Sequence, residues 1–202
     1  MLKLPKIAVT GGLCCGKSSV CLILKELSTY VVSADKVVHQ LLSTDEVLAQ
    51  KIVNLLGPEV LVEHKLDRSR IATIVFQNLD LLYALEKLIH PAVYKEINKE
   101  YLIQTKQSPP PPLFVAEVPL LFESGGQNDF DTTIAVISDQ EKCQNRFYAT
   151  THYDQKQFKD RMTRQFSLHE KAALADEIIL NNGSLSDLHQ TTTKLFYKLI
   201  EG

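Results

Sequence analysis

The stretch Ile7-Ala8-Val9-Thr10-Gly11-Gly12-Leu13-Cys14-Cys15-Gly16-Lys17-Ser18-Ser19-Val20 limits what the rest of the chain can be. Gly11 to Ser18 match G-x-x-x-x-G-K-[ST], a loop whose backbone N–H groups cradle phosphates. The flanks give the match its weight. Ile7, Ala8 and Val9 are a short apolar run that reads as a buried parallel strand. Val20, Ile23, Leu24 and Leu27 recur at the spacing of one helix face. The glycines thus lie between a strand and a helix N-terminus, where free N–H groups and the positive helix end face an anion. Lys17 is placed to reach the outer phosphates as a point charge, and the Ser18 hydroxyl to sit on Mg²⁺.

With 202 residues, the chain has room for one domain with insertions, or for a core plus a small subdomain. Lysine and arginine total 22 against 24 acidic residues, so nothing argues for a nucleic-acid or membrane-surface partner. No apolar run approaches a membrane span, and Pro5, Lys6 and Gly11 interrupt the N-terminus too early for a signal peptide. The four cysteines, at 14, 15, 21 and 143, lack metal-ligand spacing, so free thiols in a cytoplasmic chain are expected. Oligomeric state is not legible.

Tyr30 to Ala34 reads as a second strand ending at Asp35. Ligands of open α/β sheets bind at the carboxyl ends of strands, which suits Asp35 to a site. Asp35 can equally cap the next helix, whose apolar residues are Val37, Val38, Leu41 and Leu42, and one residue can do both. Residues 44–106 read as helical throughout. Thr44 or Asp45 caps one helix, Gly57-Pro58 stops it, Asp67 caps another, and His90-Pro91 interrupts the last pattern. A helical subdomain over 44–107 is therefore expected, with 108–112 as a stiff proline linker and a nucleotide core formed by 1–43 and 113–202. In that core Leu113–Val118 reads as a third strand, with Glu117 at its end as a candidate metal carboxylate. Thr132–Ile137 reads as a fourth, and Asp139 is placed to cap the helix that carries Cys143 and Arg146. The polar stretch 150–171, with Arg161 and Arg164, suits a lid carrying positive charge over phosphates, or else a solvated helix face. Glu177–Leu180 reads as a fifth strand, ending in the turn Asn181-Asn182-Gly183, and Ser184 can cap a last amphipathic helix. Strands alternating with helices predict an α/β fold: a five-stranded parallel sheet with helices on both faces and right-handed crossovers.

Several of these segments, in order, resemble the dephospho-CoA kinases, a family of small-molecule kinases built on the P-loop nucleotide-binding fold. The matching features are Val9-Thr10-Gly11-Gly12 with Gly16-Lys17-Ser18, Ser33-Ala34-Asp35, Leu66-Asp67-Arg68, Val75-Phe76 and Leu88-Ile89-His90-Pro91. Val118-Pro119-Leu120-Leu121-Phe122-Glu123 is the most specific. Arg146, the Arg161 to Gln165 stretch, and Ala175 to Ile179 through Asn181-Asn182-Gly183 complete the set. The resemblance implies transfer of a phosphoryl group from ATP, with Mg²⁺, to the ribose 3′-hydroxyl of dephospho-CoA. It implies ATP contacts at Gly11, Gly12, Leu13, Cys14, Cys15, Gly16, Lys17, Ser18, Ser19, Arg146 and Asn181. Asp35 matches the base, Lys17 works beside it, Ser18 and Glu117 hold the metal, and the helical insertion takes the acceptor. Asp35, His90 and Arg161 are its expected contacts, His90 being as readily a structural residue ahead of Pro91.

Four positions depart from the family's pattern. Cys14-Cys15 replace Gly-Ser, Ser33 replaces the first carboxylate of Asp-Ala-Asp, Glu117 stands for Asp, and Thr150 for a second lid arginine. Cys14 must therefore avoid strongly positive φ or bear strain. Thiols at a helix N-terminus are also open to oxidation, although small residues in a tight loop explain them as well. The competing readings are another P-loop kinase with a nucleoside, nucleotide or shikimate-like acceptor, and a nucleotide-binding regulator without catalysis.

Overall fold

A computed structural model describes residues 3–151 and 154–201, without the side chains of Gln157 and Asp160. The expected ends at 1 and 202, and positions 152 and 153 of the expected lid, lie outside the described residues. In chain order the elements are β1 (Lys6–Gly11), α1 (Lys17–Glu26), β2 (Tyr30–Ser33), α2 (Ala34–Thr44), α3 (Glu46–Leu56), β3 (Leu61–Val62), β4 (Lys65–Leu66), α4 (Arg68–Gln77) and α5 (Leu79–Gln104). There follow β5 (Phe114–Glu117), β6 (Thr132–Ile137), α6 (Gln140–Thr150), α7 (Gln155–Met162), α8 (Leu168–Leu174), β7 (Glu177–Leu180) and α9 (Leu185–Glu201).

The chain forms two compact units, one made of residues up to Ser33 and from Tyr101, the other of Ala34–Glu100. The first holds a five-stranded sheet in the order β2-β5-β1-β6-β7, every pairing parallel. Alternation along the strands divides its core. Ile7, Val9, Val115, Ile134, Val136 and Ile179 pack with Val20 and Leu24 of α1, Cys143 of α6, and Leu188, Leu195 and Phe196 of α9. The opposite face, with Ala8, Phe114 and Ala135, is covered by α8 and by Tyr101, whose ring meets Phe114 edge-on at 5.4 Å. Each fully buried Val, Ile or Phe contributes about 1.5–3 kcal/mol. Lys6 pairs with Phe114 and Val9 with Glu117, and Ser33 is also in register with Glu117. The β1, β2 and β5 ends are thus level, and the loop leaves the sheet beside Glu117.

The unit Ala34–Glu100 begins at Ala34, earlier than the expected residue 44, because α2 packs on α3 and β4 through its own apolar stripe. Asp45, not Thr44, caps α3, accepting from the Leu48 N–H at 2.9 Å, and Asp67 caps α4 through Arg70 N–H at 2.9 Å. Two expectations fail here. The segment is not helical throughout, since β3 and β4 form a hairpin whose turn residues Glu63 and His64 have φ 49° and 64°. That left-handed pair is what a two-residue hairpin needs, and without Asn-Gly it leaves no turn signal. Nor does Pro91 end a helix: α5 runs through it. The proline removes one hydrogen bond, but Leu82, Leu85, Val93 and Ile97 are buried on both sides of it at helical spacing and hold the helix together.

Candidate functional site

The phosphate loop is shaped by close approach. Gly11 has φ 143°, and a Cβ there would stand 2.0 Å from the Val136 carbonyl oxygen. Gly16 precedes α1 with φ 100°, and its Cβ would meet Asn181 Nδ2 at 2.2 Å. Cys14 takes the strained course: its φ is 56°, a left-handed conformation that costs a residue with a Cβ on the order of 1–2 kcal/mol. Leu13 and Ser19 are half-buried at either end of the turn into α1.

Side chains distant in sequence hold this loop. Asn181 Nδ2 donates to the Cys15 carbonyl at 2.9 Å. Arg146 donates to the Asn181 carbonyl at 3.1 Å and reaches the Cys14 carbonyl at 3.5 Å. Asp139 stands at the N-cap of α6, yet its carboxylate accepts from the Asn182 amide at 2.8 Å rather than from a helix N–H. Thr150, on α6, spends its hydroxyl on the Arg146 carbonyl at 2.8 Å.

Lys17 lies over the loop, its ammonium donating to the Gly12 carbonyl at 2.8 Å. Ser18 Oγ donates to Glu117 Oε1 at 2.7 Å, joining the start of α1 to the end of β5. Among the described residues no group of three or more His, Cys, Asp or Glu could hold a metal ion. A hydroxyl and one carboxylate are nevertheless a hard-oxygen pair of the kind Mg²⁺ uses, since it takes its other ligands from phosphates and water. The donor set fits Mg²⁺.

Two features of this unit leave no trace in the sequence. Cys143 on α6 lies 3.1 Å, sulfur to sulfur, from Cys15, and both are buried. The Cys143 hydrogen bond lowers the Cys15 thiol to about 7, against the cost of burial, and the same contact raises Cys143. Lys171 of α8 is fully buried, donating to the Pro119 carbonyl at 2.6 Å and pairing with Glu123 at 2.9 Å. Burial pushes its ammonium pKa down, and Glu123 opposes that. Glu123 also accepts from the Phe166 N–H at 2.7 Å, and Thr10 Oγ1 donates to the Pro119 carbonyl at 3.2 Å. The Val118–Glu123 segment is thereby tied to α8 and to β1. Arg161 is half-buried in the last turn of α7, and Arg164 follows it, also half-buried.

In the other unit, Asp35 is the second residue of α2, exposed, and its carboxylate makes no hydrogen bond to another described residue. It does not cap the helix, although a carboxylate in the first turn suits the dipole. His90 is half-buried in α5 just before Pro91, and burial lowers its pKa. The structure thus brings Gly11–Ser19, Arg146, Asn181 and Glu117 into one constellation. Asp35 and His90 belong to the second unit.

Residues 6–187 match the family model described as dephospho-CoA kinase. A dephospho-CoA kinase of Protochlamydia amoebophila is 53% identical over 199 residues, covering 98% of each chain. The solved dephospho-CoA kinase of Campylobacter jejuni superposes with a TM-score of 0.72 at 29% identity, over 98% of both chains. Shikimate kinase of Aquifex aeolicus gives a TM-score of 0.52 at 14% identity, over 98% of this chain and 99% of its own, a likeness of fold alone.

Proposed function

Since the chain belongs to the dephospho-CoA kinase family, we propose that its residues divide that family's reaction between the two units. The reaction transfers a phosphoryl group from ATP to dephospho-CoA, giving CoA and ADP, the last step of CoA biosynthesis. The observation that carries the residue assignment is the Ser18–Glu117 contact of 2.7 Å next to Lys17 in the phosphate loop. The loop N–H groups of Gly11 to Ser19 bind the ATP phosphates, and Lys17 neutralises charge on the transferring group. Ser18 and Glu117 would hold Mg²⁺, which supplies further charge neutralisation when bound. Arg146 and Asn181 fix the loop carbonyls so that its N–H groups point the other way, and both serve ATP binding through that.

Asp35 accepts the proton of the ribose 3′-hydroxyl, an alcohol too weakly acidic to attack unaided at neutral pH. Its exposure and freedom from other partners support this role. His90 and Arg161 remain proposed acceptor contacts. The four free thiols fit a reducing, cytoplasmic setting.

An ADP-release assay with ATP, Mg²⁺ and dephospho-CoA, with adenosine and AMP as control acceptors, tests the reading. The new phosphate should be found on the 3′-oxygen of the acceptor. ADP release that is independent of dephospho-CoA, or a phosphate elsewhere, would refute it.

A further inference from the structure

Two thiols from distant parts of the chain meet behind the phosphate loop. Cys15 belongs to the loop and Cys143 to the first turn of α6, and their sulfurs stand 3.1 Å apart. Both side chains are almost wholly buried, at 1% and 2% exposure. The Cys15 sulfur fills the space that Gly12 leaves open, since a Cβ on Gly12 would stand 3.0 Å from it. Its backbone is held on two sides, the N–H donating to the Gly12 carbonyl at 3.3 Å and the carbonyl accepting from Asn181. Cys143 comes three residues before Arg146, so one face of α6 presents both a thiol and the guanidinium that reaches the Cys14 carbonyl. Packing in this cluster calls only for small apolar groups, and a free cysteine packs as one. Two of them meeting sulfur to sulfur add a chemistry that packing does not require.

We infer that Cys15 and Cys143 form an oxidation site, at which hydrogen peroxide makes a disulfide that turns ATP binding off. This rests on the Gly11–Ser19 loop being the site of the ATP phosphates. The pair is already divided into roles. The Cys143 S–H donates to the Cys15 sulfur, so Cys15 ionises at about 7 while Cys143 keeps its proton. Cys15 is thus the attacking thiolate and Cys143 the resolving thiol. The thiolate attacks peroxide and the O–O bond breaks. One oxygen stays on sulfur as a sulfenic acid, and the other leaves as hydroxide, which takes up a proton and becomes water. The Cys143 sulfur then attacks the sulfenic sulfur. The S–S bond forms as the S–O bond breaks, and the hydroxyl departs as water with the Cys143 proton. The two thiols lose two electrons, and peroxide is reduced to two waters. Burial selects the oxidant by size: local opening of the loop admits a molecule little larger than water and excludes a peptide disulfide such as oxidised glutathione.

Passing from contact to bond draws the sulfurs together by about 1 Å. Asn181 holds the Cys15 carbonyl from elsewhere, so the loop distorts rather than moving as a body. Gly12 moves with Cys15, and its carbonyl is the one that holds the Lys17 ammonium at 2.8 Å. A shift of about 1 Å in a preorganised site is worth up to about 100-fold.

The test treats the purified full chain with hydrogen peroxide and measures ATP binding, ADP release and intact mass, before and after dithiothreitol. Free thiols are alkylated under denaturing conditions, and peptide mapping locates any disulfide. The wild type should lose two hydrogens, join the peptides carrying Cys15 and Cys143, and bind ATP on the order of 10- to 100-fold more weakly, with full recovery in dithiothreitol. Oxidised glutathione should leave it unchanged. Cys143→Ala should keep the basal turnover, form no disulfide and hold its ATP affinity through the same treatment. Cys143→Ser, nearer in volume, should behave alike, which separates the loss of the thiol from a defect in folding. No disulfide in the wild type, or one that includes Cys14 or Cys21, would overturn the site. A mapped Cys15–Cys143 disulfide with unchanged ATP affinity, or equal losses in Cys143→Ala, would overturn its control of the loop. Failure of the underlying reading looks different: the reduced wild type would not bind ATP, while the disulfide would still appear by mass.

Discussion

In the phosphate loop, function is built from backbone and from burial. Gly11 has no room for a Cβ, Asn181 and Arg146 grip the carbonyls of Cys15 and Cys14, and Cys15 is buried against Cys143. In the unit Ala34–Glu100, the role proposed above falls to a side chain that stands in solvent, since Asp35 is exposed. The proposed contacts to the ATP phosphates are main-chain N–H groups whose geometry admits few sequences. The proposed base is instead a side chain in the first turn of a helix, and its carboxylate bonds to no described residue. Substitutions in the two regions should therefore separate cleanly, stability and ATP binding following the loop and turnover or acceptor affinity following the helices.

The largest effect tests the helical side. Asp35→Asn should lower turnover by roughly 10²- to 10⁴-fold, the range for a positioned general base. ATP affinity and melting temperature should be unchanged, because the carboxylate is exposed and bonds to no described residue. Equilibrium binding of ATP together with the ADP-release assay checks both halves. Near-normal turnover would exclude Asp35 as the base, and a loss of ATP binding would erase the proposed separation.

Next in size is a change on the buried side. Lys171→Ala strands Glu123, whose carboxylate is 13% exposed, and should cost about 3–5 kcal/mol in denaturant unfolding. Replacing both partners with apolar residues of similar volume should recover most of that loss. A single variant as stable as the wild type would show that the pair does not tie α8 to the Val118–Glu123 segment. Smaller still is Cys14→Gly. It relieves the left-handed strain at φ 56° but loosens the unfolded chain, so a net gain of up to about 1 kcal/mol is expected. Destabilisation would mean that the thiol side chain contributes more than its backbone conformation costs.

The same contrast explains what could be read from the sequence. The phosphate loop announces itself because its backbone demands glycines at fixed intervals, and the central strands β1, β5 and β6 because they are short apolar runs largely buried on both faces. The ring of sequence-distant contacts around the loop is another matter. Nothing in the residues near Lys171 marks it as fully buried, since a lone lysine in a polar helix reads as solvated. Cys143 meets Cys15 only because β1 and β6 are adjacent in the sheet, a pairing that joins residues far apart in the chain. The Glu63-His64 turn and the unbroken helix through Pro91 were hidden because tertiary packing overrode local preference. Arg68 is legible only as part of the Leu66-Asp67-Arg68 match, and its contact with His39 exists only because α2 packs against β4.

The finest comparison lies within the loop itself, between its two adjacent cysteines. Burial raises the thiol pKa of half-buried Cys14, while the Cys143 hydrogen bond takes Cys15 to about 7. Cys21 and Cys143 are also pushed up, so a single thiolate should form near pH 7, visible in the ultraviolet. The sign follows from where the proton sits. Between about 7 in the folded chain and the ordinary 9 of the unfolded chain, the folded state holds fewer protons. Stability should therefore rise as pH increases through that window, and the contribution is lost as pH falls through about 7. Cys143→Ala removes the largest cause of the shift and leaves burial opposed only by the smaller effects of Lys17 and the backbone at Ser138 and Gly12, so the midpoint should move up and the rise should shrink. A midpoint that stays near 7 in Cys143→Ala would assign the low value to Lys17 and the loop N–H groups instead. The thiolate would then report the same preorganised field that the loop offers to phosphate.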